Sequence, residues 1–377
     1  MNNNELEGQQ PNPERITQES WQFANPPVYR GSTVLFDSYE VMCDEKTPYV
    51  YGRWGTPTSD AFCKAITFLE GGVGAIVTCS GLSAITTALI TIAYPGSHIL
   101  IDESSFPATL RFCDEVLTKF GVVIEKFSGT DIKEINEKIL PDTVLVYVDF
   151  PGNYGANIYD LSQIKKKSAN TYILVDNTWA TPLFFNPLKY GADIVVHSTS
   201  KYIAGHSDSI MGCIVVAHMD LFHRIQNTSR ALGQYASAED LNLALRGLKT
   251  LPLRIRQHFD SALQIAAWLT THLAIEKVFY AALPSDKNYP VWSEQFKGAG
   301  GVLTFFFKKE FEKNVPNFLN NLKLIKLGWG WGGYETLASA SIINFGECSG
   351  RIAVRLSVGL DPTLNLLKDL ELSLQTL

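Results

Sequence analysis

The chain has 377 residues, 46% hydrophobic and 19% charged, with 32 Lys and Arg against 38 Asp and Glu for a formal net charge of −6. That composition belongs to a globular protein with chain enough for one large domain and a smaller one, and it excludes general disorder. No basic block offers the electrostatic footprint that nucleic acid or an anionic membrane needs, no apolar run approaches the ~20 residues of a membrane span, and the polar opening lacks the features of a signal peptide; the expectation is a cytoplasmic protein acting on small molecules.

Residues 1–60 read as an N-terminal arm and intersubunit segment, frayed to about residue 20 and then extended through QFANPPVYRGSTVLFDS. From residue 61 to 240 a βα rhythm predicts the larger α/β domain. AFCKAITFLEG reads as helix, AIVTCS as a short buried strand, and LSAITTALITIA as an apolar helix closed by Pro95-Gly96. Strand HILID, helix TLRFCDEVLTKFG, strands VVIEKF and TVLVYVDF, helix LSQIKKKSA, and strands TYILVD and ADIVVHS follow. Short apolar runs separated by helices suit a mostly parallel sheet covered on both faces. Residues 241–377 read as a smaller C-terminal α/β domain: a long helical stretch from AEDLNLAL to WLTTHL, strand GGVLTFFFK, helix VPNFLNNLKL, the run GWGWGGYE, strand RIAVRLSVG and a closing helix. The six cysteines form no CxxC pair and read as free thiols.

Three features carry chemistry. In TCSGLSAITTAL a tight turn at Ser80, Gly81 and Leu82 leads from strand to helix, where unpaired N–H groups and the helix dipole favour a phosphate; a plain βα turn has the same appearance. The pattern is neither GxxxxGK nor GxGxxG. Asp176 ends the strand ILVD, where a carboxylate faces the ligand crevice of an α/β sheet or caps the next turn. Lys201 follows the strand ADIVV between hydroxyls, with Ser198 and Ser200 beside it. A lone lysine there is ordinarily solvated, but a phosphate seat, an acid at a strand end and a lysine among hydroxyls together form the set that pyridoxal 5'-phosphate requires. His197 and His206 stand nine residues apart without a third ligand, which predicts packing roles and no metal site.

DNTWATPLFFNPLKYGADIVVHSTSKYIAGHSD, together with YGRWGTPTSDAFCKAITFLEGG, RGLKTLPLRIRQHFDSALQIAAWL, GWGGYET and RLSVGLD, resembles the Cys/Met-metabolism family of pyridoxal-phosphate enzymes over nearly all the chain after its first ~25 residues. Trp179, Trp331 and GTPT resemble the cystathionine β-lyase branch. The resemblance implies an aminotransferase-type (fold type I) α/β architecture, a sulfur amino acid as substrate, and a homodimer or a homotetramer built as a dimer of dimers. It implies that Lys201 is the Schiff-base lysine and the base that moves the α-proton, and that Asp176 keeps the pyridine nitrogen protonated. Ser80, Gly81, Leu82, Ser198 and Ser200 match phosphate-holding positions, and Asn153 matches a residue near the ring's 3-oxygen. Tyr51 and Arg53 match a pair that reaches a neighbouring subunit's phosphate. Arg355 matches the arginine that grips the substrate α-carboxylate, with Trp331, Gly330 and Tyr51 at the substrate. The chain departs from the branch in three places. Phe106 stands where β-lyases usually stack a tyrosine on the ring, Arg111 where an acid is common, and Trp54 in place of a second arginine. The expected reaction is β-elimination at a carbon-sulfur bond, with cystathionine or a related cysteine S-conjugate as substrate. γ-Elimination or γ-replacement, racemisation, and a non-catalytic pseudoenzyme are the alternatives.

Overall fold

The computed structural model describes residues 24–128, 131–155, 157–166 and 168–377; the frayed arm expected up to about residue 20 lies outside them. Seven apolar segments form the larger sheet: β1 (Gly74–Thr78), β2 (His98–Asp102), β3 (Val123–Phe127), β4 (Thr143–Asp149), β5 (Tyr172–Asp176), β6 (Ile194–Ser198) and β7 (Gly212–Val216), in the order β1-β7-β6-β5-β4-β2-β3. The pairs from β3 through β2, β4 and β5 to β6 are parallel, and β7 runs antiparallel to both of its neighbours. Both faces are covered, as continuous apolar strands require. Ile99, Leu145, Leu174 and Val196 face Ala84, Ala88 and Leu89 of the helix Gly81–Ile92. Leu100, Val146, Val175 and Val195 face the opposite side, in one core with Leu251, Ile255 and Ala262 of the helix Ala238–Thr271.

That 34-residue helix is capped by Ser237, whose hydroxyl accepts from the Asp240 amide. Beyond it lies a second sheet of β8 (Ile275–Phe279), β9 (Val302–Phe307), β10 (Lys326–Leu327), β11 (Leu337–Ile342) and β12 (Ile352–Ser357), in the order β10-β11-β12-β9-β8. Trp179 joins the two sheets: it is buried after β5, donates Nε1–H to the Val302 carbonyl of β9 at 3.3 Å, and meets Tyr280 edge-on.

Some elements differ from expectation. LSQIKKKSA forms only a 3-10 turn, Leu161–Gln163, because the Asp160 side chain caps Ser162 and the chain is already extended at Ile164. Helix TLRFCDEVLTKFG divides into Pro107–Glu115 and a 3-10 turn, Leu117–Phe120, which stops at Gly121 with φ 78°. The unforeseen helices Ile132–Lys138 and Met219–Ala231 and strands β7, β8 and β11 complete the layers. The parallel strands bring Asp102, Asp149, Asp176 and Ser198 to one edge, at the C-terminal ends of β2, β4, β5 and β6.

Candidate active site

Asp176 is in register with Asp149 on β4 and with Val196 on β6. Its Oδ1 accepts from the Thr178 amide at 3.0 Å and from the Thr178 hydroxyl, and Thr178 Oγ1 accepts from the Ser198 amide at 2.9 Å. One carboxylate thus turns the chain after β5 and ties it to the end of β6. Burial pushes the Asp176 carboxyl above its ordinary range, opposed by the Thr178 bonds and by positive charge on His197 and Lys201.

Lys201 sits in the turn after β6, where its amide donates to the Ser198 carbonyl at 3.1 Å. Its Nζ lies 5.2 Å from the centre of the Trp331 ring. Burial and the positive charge of Arg355 hold its ammonium below the ordinary lysine value, while Asp176 pulls the other way. Trp331 is followed by Gly332, at φ 80°, where a Cβ would come within 3.1 Å of Lys201 Cβ. The turn is clamped from behind by the buried Arg254, which the sequence reading passed over. Its guanidinium donates to the carbonyls of Tyr202 at 2.7 Å, Ile203 at 3.2 Å and Gly247 at 2.8 Å, and to the Thr250 hydroxyl at 3.1 Å.

The helix Gly81–Ile92 begins against this turn. Ser80 Oγ accepts from the Ser83 amide at 3.1 Å and Ser83 Oγ from the Ser80 amide at 3.0 Å, a capping box that leaves the Gly81 and Leu82 amides without intrahelical acceptors. A Cβ at Gly81 would lie 2.5 Å from Ser198 Cβ, and one at Gly212, which pairs with both Thr78 and Ser198, would lie 2.2 Å from the Ser80 carbonyl oxygen. The two glycines hold the helix start against the end of β6, and Gly212 was not singled out from sequence. The Ser200 hydroxyl is engaged with Met211, donating to its carbonyl at 3.2 Å and accepting from its amide at 3.0 Å.

Arg355, on β12, donates Nη2–H to the Trp329 carbonyl at 2.6 Å, and its buried Nε has no partner among the described residues. Phe106 precedes the helix Pro107–Glu115 with its ring half exposed, and its amide donates to Asp149 Oδ2 at 2.9 Å. Arg111 is exposed on that helix, Gly330 is exposed in the loop after β10, and the Asn153 backbone lies in a short turn after β4.

Tyr51 and Arg53 do not join this group. They line a separate open groove of about 890 Å³ with Trp54, Arg230 and Tyr235, to which Lys201, Asp176 and Arg355 contribute nothing. Arg53 donates to the Arg230 carbonyl at 2.9 Å, and the Arg230 guanidinium lies 5.0 Å from the centre of the Trp54 ring. His197 is buried in a pair with Glu70 at 2.6 Å, and Glu70 also accepts from Asn177 at 3.0 Å. Nothing in the sequence signalled Glu70, which is fully buried at the end of the helix Pro57–Glu70.

A mostly parallel seven-stranded sheet, a second smaller sheet and a lysine on the turn after a C-terminal strand end define a fold type I pyridoxal-phosphate enzyme. A solved structure of cystathionine gamma-lyase from Lactobacillus plantarum in complex with L-serine superposes with a TM-score of 0.85 at 28% identity, covering 93% of each chain. The L-alanine/L-glutamate racemase of Wolbachia pipientis wMel is 33% identical over 94% of this chain and 93% of its own, and the cystathionine beta-lyase of Escherichia coli K12 is 30% identical over 92% of each. The family model described as Cys/Met metabolism PLP-dependent enzyme matches residues 10–375, and the chain belongs to that family. Among the described residues no helix is long and apolar enough to cross a membrane.

Proposed function

We propose that the chain is a carbon-sulfur β-lyase that converts cystathionine and water to homocysteine, pyruvate and ammonia, or cleaves a related cysteine S-conjugate in the same way. The observation that carries this reading is the convergence of Lys201 and Asp176 from the larger sheet and Arg355 from the smaller one at one half-buried place beside the start of a helix.

These residues fit pyridoxal phosphate. The Gly81 and Leu82 amides, with Ser198 and Ser80 beside them, would hold the phosphate, and Ser200 would support it from its place against Met211. Asp176, half-buried at the end of β5 and held by the Thr178 bonds, would pair with the protonated ring nitrogen. Phe106 would cover a ring face, and Asn153 would stand near the 3-oxygen. When bound, the cofactor supplies a conjugated ring that accepts electrons from the substrate α-carbon.

Lys201 Nζ would be the atom joined to the cofactor and, once displaced by the incoming amino group, the base that takes the α-proton. The burial and the Arg355 charge that lower its proton affinity favour the neutral amine that such a base requires. Arg355 would pair its guanidinium, including the unpartnered Nε, with the substrate α-carboxylate and so aim the α-hydrogen at Lys201. Trp331, Gly330 and Arg111 would line the side-chain path, where the C–S bond breaks with its electron pair leaving on sulfur. Residues 61–240 would thus carry the cofactor, and residues 241–377 would supply Arg355 and Trp331.

Tyr51 and Arg53 would complete the phosphate site of a second copy in a homodimer, or in a tetramer of two such dimers. Their separation from Lys201 within one chain supports this. The test is a purified enzyme supplied with cofactor and cystathionine: pyruvate supports β-elimination, whereas 2-oxobutanoate moves the reaction to the γ-carbon. Racemisation is kept as a second reading because the racemase is at least as similar to this chain as the Escherichia coli lyase. Deuterium entering the α-position of alanine or glutamate from solvent, without pyruvate, would favour it.

A further inference from the structure

Beside Asp176 stands a second half-buried carboxylate that the mechanism above does not use. Asp149 ends β4 and is in register with Asp176 across strands ~4.8 Å apart, so both side chains leave the same face of the sheet. Two carboxylates in one buried site do not both ionise readily. Burial and Asp176 push the Asp149 carboxyl well above its ordinary range, and Asp102 on β2 adds to the push. Tyr147 on β4 and Tyr159 in the loop after it are buried near the same acids, and among the described residues no lysine or arginine counters Asp149 as Lys201 and His197 counter Asp176. A carboxyl group accepts a hydrogen bond in either protonation state, and Asp149 Oδ2 accepts one from the Phe106 amide at 2.9 Å. Phe106 has no side-chain cap on the helix that it precedes, so this bond ties the start of that helix to the sheet edge carrying Asp176.

We propose that Asp149 is a positioning residue: by holding the Phe106 amide it sets the height and tilt of the Phe106 ring above the floor formed by Asp176, and so helps to seat the cofactor. This rests on the functional reading above, and borohydride fixation of the cofactor to Lys201 tests that reading separately. Cofactor dissociation from the holoenzyme is measured by equilibrium dialysis for wild type, Asp149→Asn, Asp149→Ala, Phe106→Ala and the double Ala variant, with visible circular dichroism reporting the asymmetry of the bound ring. Asp149→Asn keeps an acceptor for the Phe106 amide, and its affinity and dichroism are expected within about 2-fold of wild type. Asp149→Ala is expected to weaken binding by roughly 10-fold and to flatten the dichroic band. The double variant is expected to bind no more weakly than Phe106→Ala alone, because the two residues act through one contact. Independent, multiplying losses, wild-type affinity in Asp149→Ala, or an Asn variant as damaged as the Ala one would each overturn the proposal. Should Asp149→Ala not fold, Asp149→Leu removes the acceptor at similar volume, and the same comparisons decide.

Discussion

Gly81→Ala tests the seat of the cofactor with a single methyl group. The backbone at Gly81 is ordinary helix, so the effect is steric: the new Cβ would lie 2.5 Å from Ser198 Cβ and 2.8 Å from Ser198 Cα. Neither atom can rotate away, because both are fixed by the end of β6, so the helix start must retreat by roughly 1 Å to restore ordinary contact. Overpacking of this kind costs about 1–3 kcal/mol of stability. The same retreat draws the Gly81 and Leu82 amides away from Ser198. Losing one hydrogen bond to a charged phosphate, worth about 1.5–3 kcal/mol, lowers cofactor affinity roughly 10- to 150-fold. Titration of cofactor-free protein with pyridoxal phosphate, followed by tryptophan fluorescence, reads the affinity, and urea denaturation reads the stability. Gly346→Ala is the control: it strains a φ of 61° with nothing within 4 Å, so it should lose stability and keep affinity. Wild-type affinity in Gly81→Ala would show that the phosphate does not sit between this helix and Ser198.

Lys201→Ala should abolish turnover while leaving the urea midpoint near wild type; borohydride fixing the cofactor to a different lysine, mapped by mass spectrometry, would refute the assignment. Arg53→Ala and Lys201→Ala proteins, each inactive or weak alone, should regain activity when refolded together, and no recovery under conditions that exchange subunits would place the phosphate site within one chain. Arg254→Ala strips the donors from the Tyr202, Ile203 and Gly247 carbonyls and should cost about 3–5 kcal/mol in urea denaturation, with Arg254→Lys recovering part of it. His258 is buried with its pKa pushed down to about 4 from 6.5, mainly by desolvation. Between those values the unfolded chain binds the extra proton, so stability falls as pH drops from about 6.5 to 4, by about 3 kcal/mol for this group. Asp102, raised to about 6, acts in the opposite sense over part of the same range, so the contribution is read as the difference between wild type and His258→Gln. A difference that does not change with pH across this window would refute the argument.

The sheet edge was readable because each of its strands is an uninterrupted apolar run ending in a polar residue; HILID matches β2 residue for residue. GCIVV was lost because Gly212 made the stretch after Lys201 read as loop, although that glycine is required by the approach of the Ser80 carbonyl to within 2.2 Å of where its Cβ would be. The lysine run in LSQIKKKSA has charge without an apolar stripe, and it did not make a helix. At the site, Lys201, Asp176 and Ser198 could be picked out because they follow strands. Glu70 and Arg254 could not: each lies in an amphipathic helix, where a charged residue reads as solvated, and Glu70 meets His197 127 positions along the chain. A single sequence carries no sign that a helical charge faces inward.

Phe106 enters the site by its backbone, which separates where the ring stands from what the ring can do. The bond to Asp149 uses the main-chain amide, so tyrosine and phenylalanine at this position would be held alike, and the change subtracts only the phenolic proton. A site without that proton cannot hydrogen-bond a departing sulfur from this position. It therefore favours thiols acidic enough to leave as thiolates, or substrates whose leaving sulfur brings its own stabilisation. Arg111 lies a little over one turn further along the same helix and is exposed; we propose that it reaches the open side of the site, and an unchanged substrate ranking in Arg111→Asp would refute this. A cation there attracts a distal carboxylate and repels a distal ammonium. Cystathionine carries both, so on this proposal its distal carboxylate would set its orientation, and substrates with an acidic and no basic end would gain over it.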